Sequence, residues 1–375
     1  MNFYDSLDWN TMLRSYPKTE ERRFDIKKYY TILSPEMPDF LEKYVQTPAM
    51  QRLQGIGLLC GTDWTPLYKN RFYYSRLDHS IGVALIVWNF TRDKRQTLAG
   101  LFHDISTSIF SHVAEFRKGD TMTQSDSENL TEAVIRSSKE ICELLVEDGI
   151  KIEEISDYHI YPVADNERPQ LSADRLEYMF PSGASLQGSW NLEEIKKVYK
   201  KIVVLKNEQG IDELGFNSLE EAEIYTEKFL ETGHILQLNE NKLTLQLLAE
   251  ITNLAIKLNI LTEEDCLTIS EEEAFNRFEK AARGWKDNSY ESERFRTLLK
   301  TFRTMTEIEH TEKPLGNHFC VNLAVKQRYI NPLVQINGET KRISEVSEKC
   351  SRLIQDFLSY QDKPFGCVKL EDTSK

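Results

Sequence analysis

Two histidines and two aspartates within apolar stretches constrain this chain more than any other feature. His103 and Asp104 are adjacent in LAGLFHDISTSIFSH, while His79 lies upstream in SRLDHSIGVALIVWNF and Asp174 lies downstream in QLSADRLEYMF. Titratable groups are costly to bury unless they are paired or bind a metal. Two imidazoles and two carboxylates can fill four positions around one divalent cation. The order His…His-Asp…Asp therefore predicts a fold that brings these four side chains to one metal ion.

The apolar spacing around these residues predicts helices. Apolar side chains recur at helical intervals after His79, and a similar stripe precedes His103. The charged segment TRDKR between the two stretches is typical of a surface turn between antiparallel helices. A third helical face surrounds Asp174. We therefore expect His79 and Asp174 to approach His103 and Asp104 from neighbouring helices.

A structural explanation competes with the metal site. A His-Asp dipeptide arises often by chance, and a buried histidine bonded to a carboxylate is commoner than a metal ligand. The constellation favours a metal, because each of three predicted apolar helices carries such a group.

Net charge and hydropathy limit the class of partner. A formal net charge of −13 disfavours broad non-specific binding to nucleic acid, which needs a basic surface. No apolar run reaches membrane-spanning length, and the first residues are polar and charged. We therefore expect a soluble cytoplasmic protein without a signal peptide or a membrane partner. A local basic pocket could still bind an anionic nucleotide, and its candidate residues are Arg76, Arg175, Lys69, Arg71 and Arg328.

The cysteines are scattered and form no CxxC pair. This spacing argues against a structural zinc site and against a disulfide framework, and it is typical of a reducing compartment. The six residues are Cys60, Cys142, Cys266, Cys320, Cys350 and Cys367.

Three zones are expected along the chain. Residues 1–30 are charged and aromatic and are interpreted as an N-terminal arm, residues 31–260 contain every metal candidate, and residues 261–375 form a C-terminal helical region with a few strands. In that last region, partial alternation over residues 318–337 predicts strands, and Asn337-Gly338 predicts a tight turn.

Five motifs of the chain resemble those of a known family. TPAMQRLQGIG, RLDHSIGV, HDISTSIFSH, ADRLEY and KQRYINPLV occur in the same order as their counterparts in the HD-domain phosphohydrolases. Within that superfamily they resemble the deoxynucleoside triphosphate triphosphohydrolases, the dGTPase branch that includes the mammalian SAM and HD domain protein. The resemblance implies a mainly α fold, with an HD-domain helical bundle and a smaller α+β C-terminal region.

The resemblance also assigns roles to individual residues. It implies that the metal ligands are His79, His103, Asp104 and Asp174, that Arg76 and Arg175 bind the triphosphate, that Tyr178 lines the nucleotide pocket, and that His112 lies behind the ligands near the phosphates. Arginine suits such a role because it makes bidentate contacts to phosphate oxygens. One divalent ion is expected, namely Mn, Mg, Fe, Ni, Co or Zn.

The chain departs from the family at several functional positions. Thr107 replaces a histidine close to the nucleotide, and Ser127 replaces the histidine taken as proton donor to the leaving group. Leu58 replaces a glutamine of the sugar pocket, and Ser182 stands near a missing acid. The remaining proton carriers are His112, Glu115 and Glu128. His112 and Glu115 lie three residues apart on one predicted helical face, where orienting a ligand and catalysis are both open roles.

The sequence therefore predicts a metal-dependent phosphohydrolase acting on nucleotides. Its most specific form is a dNTP triphosphohydrolase, which releases triphosphate and a deoxynucleoside. One alternative is a phosphatase of nucleoside monophosphates or other phosphoesters. Another is a regulatory or scaffold protein that binds nucleotide without efficient turnover. The resemblance also allows for a homo-oligomer.

Overall fold

The computed structural model describes residues 24–122, 130–284 and 289–371. Helices dominate these residues, and two small sheets accompany them, which confirms the prediction of a mainly α fold with a smaller α+β part. The helices are α1 (Ile26–Leu33), α2 (Leu41–Val45), α3 (Pro48–Gln51), α4 (Arg76–Thr91), α5 (Lys94–Phe102), α6 (Val113–Lys118), α7 (Thr131–Ser137), α8 (Lys139–Glu147), α9 (Ala173–Leu186), α10 (Leu192–Tyr199), α11 (Leu219–Gln237), α12 (Asn239–Lys257), α13 (Asp265–Thr268), α14 (Glu271–Gly284), α15 (Tyr290–Thr304), α16 (Ile343–Val346) and α17 (Glu348–Ser359).

The two sheets are small. The strands are β1 (Ile202–Lys206), β2 (Asp212–Phe216), β3 (Glu309–Thr311), β4 (His318–Val321), β5 (Leu333–Ile336), β6 (Glu339–Arg342) and β7 (Phe365–Lys369). The first sheet has the order β1-β2-β5-β6, in which β2 and β5 are parallel and the other neighbours are antiparallel. The second has the order β3-β7-β4 and is antiparallel throughout. Asn337 and Gly338 join β5 to β6 with positive φ angles of 52° and 85°, as a tight hairpin turn requires.

Helices α4 and α5 form the central antiparallel pair. Ser75 caps α4, because its hydroxyl accepts from the Asp78 amide at 3.0 Å and the Asp78 carboxylate accepts from the Ser75 amide at 3.0 Å. Only Arg92 and Asp93 separate the two helices, within the predicted TRDKR turn. The sequence indicated an amphipathic helix here, but α4 is buried on every face from Arg76 to Val87. Helix α4 is therefore the centre of the bundle.

Packing crosses the predicted boundary at residue 260. One hydrophobic cluster surrounds α4, α5 and α9, and a second lies among α6, α12, α14 and α15. The first sheet likewise combines β1 and β2, which precede residue 260, with β5 and β6, which follow it. The zone boundaries stay a prediction. Residues 1–23 of the predicted arm lie outside the described residues, and α1 packs Tyr29 and Tyr30 fully into the first cluster.

The structure also bears on the expectations about the cysteines and about membrane-spanning helices. The cysteine spacing argued against a disulfide framework, and the structure contains one disulfide bond, between Cys320 and Cys367. They face each other across β4 and β7. Because 47 residues separate them in sequence, local spacing could not predict the pairing. Among residues 24–122, 130–284 and 289–371, no helix combines the length and apolarity needed to cross a bilayer.

Candidate metal centre

The four predicted ligands lie at helix ends. His79 lies in the first turn of α4, and Asp174 lies in the first turn of α9. Helix α5 ends at Phe102, so that His103 is its C-cap and Asp104 belongs to the following turn. The sequence predicted that a helix carries the His-Asp pair, whereas His103 and Asp104 directly follow the last residue of α5. Adjacent side chains inside an α-helix point about 100° apart. Because α5 ends at Phe102, His103 and Asp104 are not subject to this restriction.

The donor atoms of these residues converge. The Nε2 atom of His79 lies 3.1 Å from Nε2 of His103, 3.1 Å from Oδ1 of Asp174 and 3.8 Å from Oδ2 of Asp104. Nε2 of His103 lies 3.5 Å from the same Asp104 oxygen and 3.7 Å from the same Asp174 oxygen. Donors about 2.1 Å from an ion lie roughly 3.0–3.4 Å apart in octahedral or tetrahedral geometry. The spacing of His79, His103 and Asp104 therefore fits one divalent ion, and Asp174 lies beside them with Oδ1 3.1 Å from Nε2 of His79.

The second nitrogen of each histidine is already bonded. Nδ1 of His79 lies 2.6 Å from Oε2 of Glu177, and Nδ1 of His103 lies 2.7 Å from the carbonyl oxygen of Gly100. Both partners are acceptors, so each ring donates from Nδ1 and directs its Nε2 lone pair to the shared point. Glu177 is fully buried and also accepts from the Tyr74 hydroxyl at 2.6 Å. Such orientation of both rings is typical of metal-binding histidines.

The electrostatics around His79 favour a cation at Nε2. Burial by itself lowers the pKa of His79, but hydrogen bonds to Asp174 and Glu177 outweigh it and raise that pKa to about 10. A positive charge at this position, carried by a proton or by a metal ion, is therefore stabilised by the surrounding carboxylates. The donor set of two imidazoles and two carboxylates suits Mn, Fe, Co, Ni or Zn better than Mg.

Arg76 lies directly beside the ligands. Its Nη1 atom donates to Oδ2 of Asp104 at 2.7 Å, and its Nε donates to the Ser111 hydroxyl at 3.0 Å. The Ser111 hydroxyl in turn donates to the carbonyl oxygen of Gly57 at 3.0 Å. Phe110 and Ser111 both have left-handed backbone angles, with φ of 60° and 52°. Consecutive non-glycine residues in this region are strained, and such strain is concentrated at functional sites.

Thr107, at the family's histidine position, contacts a ligand. Its hydroxyl donates to Oδ1 of Asp104 at 3.0 Å, opposite the oxygen that Arg76 contacts. Asp104 is thus held through both of its oxygens. The substitution removes a titratable group, and the threonine orients the carboxylate instead.

The two other predicted substrate-binding residues lie along the same cavity. Arg175 donates to Asp165 at 3.1 Å and to the Gln170 carbonyl at 2.8 Å, and it also bonds Asn166. Its guanidinium therefore fixes the loop before α9. The Tyr178 ring faces the guanidinium of Arg328, with 5.8 Å between the ring centroid and the guanidinium carbon.

The three predicted proton carriers differ in their positions relative to the cavity. His112 lines the cavity, whereas Glu115 is 1% exposed and lies behind it, with Oε2 3.8 Å from Nδ1 of His112. Burial lowers the pKa of His112, Glu115 opposes this shift, and the charges of Arg328 and Arg76 add to it. A neutral imidazole therefore faces the cavity at neutral pH. Glu128 and Ser127 lie outside the described residues.

The cavity has a volume of about 300 Å³. It contains the four candidate ligands and Leu58, together with several residues that the sequence did not single out. These additional residues are Tyr68, Tyr158, Arg168, Lys326 and Tyr329. Of the three further basic candidates, Arg328 lines the cavity, whereas Lys69 and Arg71 do not. Lys326, Arg328 and Tyr329 belong to the motif KQRYINPLV, which is the sequence signal from which these lining residues could have been found.

The chain is similar to two curated proteins and shares its fold with two solved structures. No protein-family model matches the chain. The chain is 25% identical over 315 residues to the uncharacterized protein YdhJ of Bacillus subtilis, and the match covers 84% of this chain and 89% of that protein. It is 26% identical over 162 residues to the metal-dependent phosphohydrolase cns2 of Cordyceps militaris, covering 43% of this chain and 45% of that protein.

Two solved structures share the fold. A phosphohydrolase from Bacteroides thetaiotaomicron superposes with a TM-score of 0.57 at 16% identity, covering 90% of this chain and 97% of that one. A hypothetical protein from Aquifex aeolicus superposes with a TM-score of 0.58 at 16% identity, covering 89% and 93%. The chain thus has a fold that is found in phosphohydrolases.

Proposed function

We propose that this protein is a metal-dependent phosphohydrolase that cleaves a phosphoester bond of a nucleotide. The convergence of His79, His103 and Asp104, with Asp174 3.1 Å from Nε2 of His79, carries the proposal. The fold shared with a phosphohydrolase and the match to the relative named a metal-dependent phosphohydrolase support the same reaction class.

The four ligands would hold the ion, and Arg76 serves the phosphoryl group. An ion bound there supplies Lewis acidity toward a phosphoryl oxygen and lowers the pKa of a coordinated water. The Arg76 guanidinium, 2.7 Å from a ligand oxygen, is close enough to bind a phosphate oxygen at the same centre. Its positive charge opposes the negative charge that develops in phosphoryl transfer.

His112 is the proton carrier that the geometry favours. Its imidazole faces the cavity and its lowered pKa keeps it neutral at neutral pH, so that it can accept a proton from an attacking water. Glu115 lies on the Nδ1 side of the ring and orients it. Because Thr107 donates to Asp104, the threonine takes no part in proton transfer in this proposal.

The nucleotide is the finer part of the proposal. Tyr178 and the apolar wall that includes Leu58 offer a surface for a base or sugar, while cationic side chains line the same cavity. The motif resemblance favours a dNTP triphosphohydrolase as the most specific form. The replacement of the family's histidine by Thr107 favours the alternative of a nucleotide-binding regulatory protein.

Product analysis separates these functions. We would incubate the protein with dNTPs, NTPs and nucleoside monophosphates and with Mn, Mg, Fe, Co or Ni, and we would compare it with the His103→Ala/Asp104→Ala variant. Release of triphosphate by the wild type alone is the expected result, whereas orthophosphate from monophosphates would identify a phosphatase. Bound metal without release from any substrate would refute the enzyme and leave the regulatory alternative.

A further inference from the structure

An extended segment that forms no helix or strand completes one wall of the cavity. This segment, residues 322–332, is called the strap here. The Thr121 hydroxyl donates to the carbonyl oxygen of Ala324 at 2.8 Å, and the Lys326 amide donates to the carbonyl oxygen of Thr121 at 3.2 Å. At its far end, the Asn331 amide donates to the carbonyl oxygen of Pro169 at 2.8 Å. The backbone of the strap is therefore fixed without sheet pairing.

The strap directs two cations into the cavity. Lys326 and Arg328 both line the cavity. The intervening Gln327 points elsewhere, because its side-chain amide donates to the carbonyl oxygen of Leu358 at 3.2 Å. Helix α11 presses on the strap at Gly233, where a Cβ atom would come within 2.5 Å of the Arg328 carbonyl oxygen.

A third cation joins them from the loop before α9. Arg168 also lines the cavity, and its Nη1 donates to the carbonyl oxygen of Gln327 at 2.6 Å. Burial lowers the pKa of Arg168, and the like charges of Arg328 and Arg175 lower it further. Asp165 and Glu167 are acids that also line the cavity, and Asp165 is paired with Arg175 at 3.1 Å. Cations held together against their mutual repulsion form a site for an anion.

This basic wall is distinct from the basic group at the metal centre. Arg76 bonds a ligand directly, whereas the hydrogen bond of Arg168 goes to the strap and Arg328 faces Tyr178. A substrate that fills the cavity can therefore place one phosphoryl group at the ligands and another anionic group at the strap.

We propose that Lys326, Arg328 and Arg168 form a second anion subsite, and that the substrate is a phosphate ester bearing a second phosphoryl group. This inference rests on the proposed function. The second group could belong to the same polyphosphate chain or to another position of a bisphosphate, since both present the same oxyanions to the strap.

Binding of three adenosine ligands tests the subsite. Calorimetry with the Mn²⁺-loaded full chain would compare adenosine 5′-monophosphate, adenosine 5′-diphosphate and adenosine 3′,5′-bisphosphate. In the Lys326→Met/Arg328→Met variant, affinity for a two-phosphate ligand should fall about tenfold or more, while affinity for the monophosphate should change less than about threefold. The two-phosphate ligand that loses affinity identifies which of the two arrangements fits.

Two further variants serve as controls for charge and for position. Lys313→Met removes a cation from an exposed position in the C-terminal region and should leave all three affinities unchanged. Arg328→Lys keeps the charge and should retain most of the preference for two phosphates. Equal losses for monophosphate and two-phosphate ligands, or no loss for any, would overturn the subsite. The proposed hydrolysis is judged separately, because an inactive protein that shows the expected binding pattern refutes only the reaction.

Discussion

At the scale of single residues, Asp104 is the most constrained side chain of the centre. Arg76 and Thr107 hold its two oxygens at 2.7 and 3.0 Å. His79 and His103 are oriented in the same way by Glu177 and a backbone carbonyl. Partners of this kind set the direction of a ligand's lone pair, and their removal reduces metal affinity about 10- to 100-fold.

We expect Thr107→Val to weaken metal binding about tenfold. Valine has nearly the same shape but lacks the hydroxyl that donates to Asp104, so the carboxylate loses one restraint. Calorimetric titration with Mn²⁺ measures the change in metal affinity. Thr304→Val is the matched control, because that hydroxyl bonds the helix carbonyl of Lys300. An unchanged affinity in Thr107→Val would show that the hydroxyl has no orienting role.

Sequence reasoning predicted the four candidate ligands but not the groups that orient them. The ligands were visible because titratable residues in apolar stretches are conspicuous. Glu177 also follows Asp174 by three residues, but its bond to His79 depends on how α9 packs on α4. The Gly100 carbonyl has no side-chain signal at all. Contacts of this kind depend on tertiary packing, which periodicity does not specify.

At the scale of elements, the close approach of α4 and α9 supports the centre. Gly82 lies one turn after His79 and faces Glu177. A Cβ atom at Gly82 would come within 2.5 Å of Oε1 and 2.7 Å of Cγ of Glu177. Glu177 is fully buried and is hydrogen-bonded to both His79 and Tyr74, so it cannot move aside without losing these bonds. The close approach of the two helices therefore requires a residue without a side chain at position 82.

Gly82→Ala should displace Glu177 and disturb His79. We expect the metal affinity to fall about tenfold or more and the free energy of unfolding to fall by about 1–3 kcal/mol. Metal titration and urea denaturation measure the two effects. Gly284→Ala, at a position where a Cβ atom meets nothing within 4 Å, should leave both quantities nearly unchanged. Full metal affinity in Gly82→Ala would mean that Glu177 does not position His79.

Strands were harder to predict than helices. The tight turn at Asn337-Gly338 was correct because that pair has a strong local preference for left-handed angles. Strands β1 and β2 were missed, although IVVLK is rich in β-branched residues, because the segment is short and lies among helical patterns. The parallel partner of β2, strand β5, lies more than a hundred residues further along the chain, a distance beyond the reach of local patterns.

At the scale of the whole molecule, a buried carboxyl couples the C-terminal helices to the centre. Glu271 of α14 accepts from the Gly57 amide at 3.1 Å and from the Trp64 indole at 2.7 Å. The carbonyl of Gly57 accepts from Ser111, which holds Arg76. A path of hydrogen bonds through Gly57, Ser111 and Arg76 therefore connects a helix beyond residue 260 to Asp104, a candidate metal ligand.

Glu271 also predicts a pH dependence of stability. Burial raises the pKa of Glu271 to about 8 from a usual value of 4.5. Because the folded state holds this proton more tightly, the contribution to stability is fully present below about pH 4.5 and is lost as pH rises to about 8. A shift of this size corresponds to a few kcal/mol, at about 1.4 kcal/mol per pH unit.

The Glu271→Gln variant isolates that contribution. Glutamine leaves one of the two donors unsatisfied and should lower the free energy of unfolding by about 1–3 kcal/mol at pH 5. It does not titrate, so the free energy of unfolding of the wild type should fall relative to that of the variant as pH rises from 5 to 8. Urea denaturation across this range measures the difference, and Glu272→Gln, on the exposed side of the same helix, should show no such trend. A constant difference for Glu271→Gln would contradict the raised pKa.

The strap has a consequence for the order in which the protein is made. The cavity wall begins with Leu58 and includes Tyr329. A chain that has been synthesised as far as Asp174 already contains all four candidate ligands, but it does not yet contain the strap. During synthesis, the wall of the cavity can therefore be completed only after the strap has left the ribosome.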